Sequence, residues 1–141
     1  MRKLPDSVKH SPFAGVLGLK FARIEDGYTQ AKALITDRLR NNYGTVHGGA
    51  IYTMADVCMG AAVFFSLDED EMCVTAEMKI SYLKPAHSGE LQCEARLDQR
   101  TGNVATAESE IINNENLIAR AIGTFYIQQM PVQSAQTKEE S

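Results

Sequence analysis

The residues with types and spacing suited to chemistry lie between positions 41 and 67, with one more at 75. The stretch reads N-N-Y-G-T-V-H-G-G-A-I-Y-T-M-A-D-V-C-M-G-A-A-V-F-F-S-L. Asp56 interrupts an otherwise apolar run. A carboxylate in apolar surroundings either finds donors or resists ionisation. It reads as a structural Asp bonded to a neighbouring backbone group or hydroxyl, or as a general base or nucleophile. His47-Gly48-Gly49 stands just before the run. If a helix starts there, its first N–H groups are unpaired and carry positive partial charge. Glycine lets a ligand approach them, so a polarised carbonyl or an oxyanion would fit. The same residues also suit a plain tight loop-to-helix turn.

Asn41, Asn42 and Gly44 precede the histidine, and Asn could bond a water or hold the loop. Thr75 opens the next strand and could position substrate or water. Its parity is unfavourable, because it falls opposite Val74 and Ala76; a local bulge would correct that. On a regular helix Gly48 and Asp56 lie about 12 Å apart along the axis. A base and a carbonyl-polarising donor must each come within about 3 Å of one reacting group. The two groups of one chain are thus either unrelated or meet their counterparts across a symmetric dimer.

The elements that must hold these residues follow from periodicity. Positions 48–66 read as one long helix, apolar nearly all round, as a helix wrapped by a sheet would be. Before it, Ser11, Pro12 and Gly18 mark a short helix by cap, first position and stop. Residues 19–35 read as a hairpin about a type I′ turn at Asp26-Gly27. After the helix, D-E-D-E at 68–71 reads as a solvated connection. Four strands follow over 73–84, 90–99, 104–112 and 117–128, read as a meander. In the first, Val74, Ala76, Met78, Ile80 and Tyr82 share one face. Each strand has one apolar face, and the 48–66 helix is the only sizeable cover. The expectation is an α+β fold, an antiparallel sheet curled around one central helix. It forms a single domain over 1–129, with a polar, loosely ordered start over 1–10 and a disordered tail over 130–141.

Composition narrows the function classes. The chain has 141 residues and a formal net charge of −4, with no basic block to grip nucleic acid. The three cysteines, Cys58, Cys73 and Cys93, make neither a C-x-x-C pair nor a disulfide framework, which suits a reducing compartment. Cys58 reads as packing. His10, His47 and His87 have no metal-ligand spacing. The M-R-K start is followed by no apolar signal region, and the longest apolar run is short for a membrane span. The expected location is the cytoplasm.

The pattern N-x-x-G-x-x-H-G-G-(x)6-D, carried by Asn41, Gly44, His47, Gly48, Gly49 and Asp56, resembles that of the hotdog-fold acyl-CoA thioesterases. The branch most similar holds the phenylacetate-pathway and Arthrobacter-type 4-hydroxybenzoyl-CoA thioesterases. M-K-I-S-Y-L-K-P-A, from Met78 to Ala86, also resembles the family's following strand. The resemblance implies a hotdog fold and a homodimer or dimer of dimers. It implies an acyl- or aryl-CoA substrate hydrolysed to acid and coenzyme A, without metal or prosthetic group. It implies that Gly48 N–H polarises the thioester carbonyl, with His47 and Asn41 shaping that site. Asp56 would come from the second subunit as base or nucleophile, and Thr75 would position the water. The acyl group would meet residues such as Tyr52, Met59, Phe64 and Tyr82. A hotdog hydroxyacyl-thioester dehydratase or hydratase and a non-catalytic acyl-CoA-binding module are the competing readings.

Overall fold

The structure, a computed structural model, describes Arg2 and residues 11–131. Six strands form one sheet: β1 (Lys20–Glu25), β2 (Tyr28–Leu34), β3 (Glu71–Tyr82), β4 (Glu90–Thr101), β5 (Val104–Asn113) and β6 (Asn116–Gln129). A short helix α1 (Pro12–Leu17) precedes them, and α2 (Gly48–Phe64) lies between β2 and β3. The expected α+β hotdog architecture is what the chain adopts. Ser11 caps α1 by accepting from the Ala14 N–H, Pro12 takes its first turn, and Gly18 ends it at φ 64°.

The strand order is β1-β2-β4-β5-β6-β3, with all pairs antiparallel. The expected four-strand meander is therefore corrected. Only β4, β5 and β6 run as one. The chain leaves β3 through residues 83–89 and crosses to β2, so β3 pairs with β6 and ends the sheet. The crossover lets the sheet curl, with α2 against its inner face.

Alternation explains that core. Ala31 and Ala33 of β2, Leu91, Cys93 and Ala95 of β4, Ala105, Ala107 and Ile111 of β5, and Ala121 and Phe125 of β6 face inward and are buried. The many alanines bring the sheet close to α2, whose large side chains Ile51, Met54 and Met59 fill the space. Burying each such side chain is worth roughly 1.5–3 kcal/mol. Thr29, fully buried, donates its hydroxyl to the Cys58 carbonyl at 2.8 Å, so the one polar group of β2 in this layer is satisfied.

The sheet covers only one side of α2. Ile51, Met54, Ala55, Cys58, Met59, Ala62 and Val63 are buried, whereas Tyr52 is exposed and Asp56, Val57, Gly60, Ala61 and Phe64 are only half-buried. An apolar helix with an open face is not the fully wrapped helix expected. Met59 lies on the inner face, with its methyl group close to Gly123, and does not line an open pocket.

Local details depart from expectation in three places. Asp26-Gly27 is not a type I′ turn, which needs positive φ at both residues: Gly27 has φ 70°, and Asp26 is not in that region. Both φ values are positive instead at Asn114 (49°) and Glu115 (67°), between β5 and β6. The acidic connection is not wholly solvated, because Glu71 is 6% exposed and its carboxylate pairs with Arg100 at 2.7 Å. Arg2, expected to be loose, lies across the Phe64 ring at 3.9 Å and donates to the Glu71 carbonyl. Of the tail expected to be disordered over 130–141, Met130 and Pro131 are described, and the Met130 N–H donates to the Asp70 carbonyl at 2.7 Å; the rest of that tail and of the expected loose start lie outside the described residues.

Candidate active site

The loop entering α2 is tied down before the helix begins. Arg40 and Val46 form a β-bridge, and the His47 N–H donates to the Leu39 carbonyl at 2.7 Å. Asn41 spends its side chain on this loop. Its Oδ1 accepts from the Tyr43 and Thr45 N–H groups, and its Nδ2 donates to the Thr45 hydroxyl. Gly44 supplies the one turn residue at φ 85°. The Arg40 guanidinium donates to the carbonyls of Gly44 (2.7 Å) and His87 (2.6 Å) and pairs with Asp37. The Val46 N–H donates to Ala86 at 2.9 Å. The loop is thereby fastened to the 83–89 crossover.

His47 is the N-cap of α2, and its Nδ1 accepts from the Gly49 N–H at 2.8 Å. In a neutral ring that leaves the proton on Nε2. Ala50 N–H donates to the His47 carbonyl. Of the N–H groups from His47 to Ala50, only that of Gly48 has no partner among the described residues. It is a free donor at the positive end of a 17-residue helix.

Two turns along, Asp56 sits on the open face of α2. Its Oδ1 accepts from the Thr75 hydroxyl at 2.7 Å, while Oδ2 makes no hydrogen bond among the described residues. Thr75 reaches it through an irregularity in β3. The β3–β6 register shifts between Thr75 and Glu77, leaving Ala76 as the extra residue. Before the bulge Cys73 and Thr75 face α2, and Cys73 Sγ lies 3.7 Å from the Gly60 carbonyl oxygen. Beyond it Met78, Ile80 and Tyr82 face α2. The expected single face of Val74, Ala76, Met78, Ile80 and Tyr82 is thus broken at Ala76, with Val74 turned outward.

Burial pushes the Cys73 thiol up to about 11, with the Asp56 charge adding and Arg2 opposing. The Cys58 thiol is raised well above its ordinary value by its hydrogen bond with Cys93 and by burial. Neither thiol is an activated nucleophile. Among the described residues no group of three or more His, Cys, Asp or Glu side chains is arranged to hold a metal.

The structure therefore brings Thr75 to Asp56, and His47 to the glycine pair, but forms two separate clusters. Gly48 and Asp56 stay about 12 Å apart by helical rise. Grooves of about 280 and 220 Å³ lie on the outer face of the sheet, about Glu94, Glu108, Glu110 and Arg120 and about Gln30, Lys32 and Gln92; neither includes Gly48 or Asp56. Sequence reasoning missed Arg40, which no local pattern separates from other arginines. It placed Tyr82 only as a pocket wall, whereas the Tyr82 hydroxyl donates to the Gly48 carbonyl at 2.8 Å.

The family model of the Thioesterase superfamily matches residues 43–119, more than half of the chain and a span that includes His47, Gly48, Asp56 and Thr75. The chain belongs to the thioesterase superfamily. This thioesterase is 30% identical to a candidate esterase of Saccharolobus solfataricus over 85% of its own length and 80% of that protein's. It is 27% identical to the medium/long-chain acyl-CoA thioesterase YigI of Escherichia coli, covering 85% and 88%. Among solved structures it superposes with a TM-score of 0.77 on a candidate thioesterase, a phenylacetic acid degradation-related protein of Ralstonia eutropha JMP134. The two are 30% identical, with 82% and 90% of the chains covered. The protein is a thioester hydrolase.

Proposed function

We propose that this thioesterase hydrolyses acyl-CoA thioesters at a site shared between two copies of the chain. The observation that carries this reading is the pairing of one free N–H, at Gly48, with one carboxylate, Asp56, about 12 Å away along the same helix. Two such helices related antiparallel by a two-fold axis bring each N–H to the other's carboxylate, twice.

The open edge of the sheet supports that arrangement. β3 ends the sheet and offers 12 residues of unpaired backbone edge, which favours pairing with another strand. Antiparallel pairing with its own copy about a two-fold axis at Lys79, with Ala76 left out as the extra residue, sets Thr75 opposite Tyr82. It also covers the half-exposed apolar side chains Val57, Ala61 and Phe64 of α2.

In the reaction, the thioester carbonyl accepts the Gly48 N–H. Asp56 of the partner subunit takes a proton from a water through Oδ2, and the water oxygen bonds to the carbonyl carbon. The tetrahedral oxyanion is stabilised by the same N–H and the helix's positive end. The C–S bond then breaks, the electron pair leaves on sulfur, and the thiolate takes a proton. Acyl-S-CoA and water give the free acid and CoA-SH. Thr75 orients Asp56; His47 holds the Gly48-Gly49 turn; Asn41 holds the loop behind it. The chemistry draws on no metal or prosthetic group. Coenzyme A enters as part of the substrate. Tyr52, Phe64 and Tyr82 are on the open side where an acyl group would lie. Further pairing to a dimer of dimers is compatible with the open outer face. The three free cysteines fit the reducing cytoplasm as the compartment. Among the described residues no helix is long and apolar enough to cross a membrane.

The test is a panel of short, medium, long and aromatic acyl-CoAs, followed by free thiol, with wild type and Asp56→Asn. Thiol release that falls at least a hundredfold in the variant is expected. Tight acyl-CoA binding without thiol release would sink the hydrolase reading in favour of a binding module. Hydration of an enoyl-CoA without thiol release would point to the hydratase.

A further inference from the structure

Gly48 is a glycine for a reason other than backbone conformation. Its φ is not in the left-handed region, where glycine alone is at ease. What crowds a side chain there is Tyr82. A Cβ on Gly48 would lie 3.3 Å from the Tyr82 Cζ and Oη and 3.4 Å from Cε1. The ring packs close against the Cβ position and would have to give by a few tenths of an ångström. Its hydroxyl then donates to the Gly48 carbonyl at 2.8 Å, fixing the peptide between Gly48 and Gly49. That peptide's N–H is the one His47 Nδ1 accepts. One peptide group is thus held at both ends, by His47 through its N–H and by Tyr82 through its oxygen. The neighbouring peptide, which carries the free Gly48 N–H, has little room left to rotate.

We propose that Tyr82 is a positioning residue for thioester hydrolysis, holding the Gly48-Gly49 turn so that the Gly48 N–H stays aimed at the thioester carbonyl. The proposal rests on the reading of Gly48 as the carbonyl-polarising group. Tyr82 does this from β3, the strand whose Thr75 holds Asp56. The same edge strand therefore sets the geometry of both half-sites, one on either side of the Ala76 bulge. Burial, with the nearby Tyr52 phenol adding, raises the Tyr82 pKa above its ordinary value. The phenol stays protonated across the neutral range, as a donor must.

The decisive variant is Tyr82→Phe, which keeps the ring and removes the donor. Two readouts are taken on the full chain: steady-state kinetics with the best acyl-CoA of the panel, and the backbone amide nitrogen resonance of Gly49, which reports hydrogen bonding to the Gly48 carbonyl. A kcat lower by about fivefold to tenfold, with KM within about twofold, is expected from losing one such bond. The Gly49 resonance should move, and Tyr82→Ala should lower kcat further. A kcat unchanged within twofold overturns the proposal. So does a rise in KM at constant kcat, which would make Tyr82 a substrate contact. If the wild type releases no thiol from any acyl-CoA, the acyl-CoA reading falls by itself. The Gly49 resonance then decides Tyr82 alone, and one that does not move in Tyr82→Phe overturns its positioning role.

Discussion

Thr75 gives the Asp56 carboxylate its only hydrogen bond among the described residues, at 2.7 Å to Oδ1. A carboxylate on a half-exposed helix face otherwise rotates about χ1 and χ2, and in the shared-site reading each orientation but one misdirects Oδ2. Thr75→Val keeps the β-branched shape that suits a strand and removes the donor. In the shared-site reading kcat should fall about tenfold, as for a lost charge-assisted bond of roughly 1.5–3 kcal/mol partly replaced by water. Thr75→Ser should retain most of the activity. Thermal melting of both variants should stay close to wild type, because the pair is exposed. A Thr75→Val enzyme with wild-type kcat would remove Thr75 from the site. The residue scale also explains why Asn41 gives no direct reading of function. The three hydrogen bonds of its side chain are spent within residues 41–45, so in the shared-site reading it would act on the site through the loop.

Between elements, the start of β3 is tied to the end of β4 by Glu71 and Arg100. The Arg100 guanidinium donates to both Glu71 oxygens, at 3.0 and 2.7 Å, and Glu71 also accepts from the Asp68 N–H. Arg100 first, and that N–H second, hold the Glu71 carboxyl well down, from 4.5 to about 2. A carboxyl whose pKa is depressed on folding adds stability fully present above its unfolded value and lost as pH falls through the folded one. The urea midpoint of wild type should therefore exceed that of Arg100→Gln by a constant margin above about pH 5. The margin should shrink steadily between about pH 4.5 and pH 2. A margin unchanged down to pH 2 would show that the pair adds no linkage. The sequence reading saw Asp68 to Glu71 as a solvated run, because four acidic residues carry no mark of which one finds an arginine 29 positions on. The elements themselves were legible from period: strand alternation at 91, 93 and 95, the apolar run of α2, and the caps of α1. The strand order was not, since pairing β3 with β6 rather than β4 depends on how the sheet closes over α2. The bulge at Ala76 was legible only as a conflict, with Thr75 needed on a face its parity denied. The same was true of the turns. Asn114-Glu115 takes the two positive φ values although it carries no glycine, and Asp26-Gly27, with the stronger local signal, does not.

At the scale of the whole molecule, the separation of Gly48 and Asp56 makes a prediction that no single-chain site shares. Gly48→Pro deletes the free N–H. The first position of a helix accepts proline, and His47 at φ −61° and ψ 134° already has the extended conformation that a following proline requires. The Tyr82 ring, 3.3 Å from the Cβ position, must yield by a few tenths of an ångström. Gly48→Pro and Asp56→Asn homodimers should each be inactive. Unfolding and refolding the two variants together in equal amounts makes half of the dimers mixed. Each mixed dimer has one site that draws its N–H from the Asp56→Asn chain and its carboxylate from the Gly48→Pro chain, with neither defect. The other site has both. The mixture should regain about a quarter of wild-type kcat, with an unaltered KM, because the surviving sites are complete. Sedimentation of each variant alone as a dimer excludes loss of assembly as the cause of inactivity. If each chain carried its own complete site, the refolded mixture would stay as inactive as its parents. The β3 edge and the open face of α2 would then need a different explanation from the one the shared site gives them.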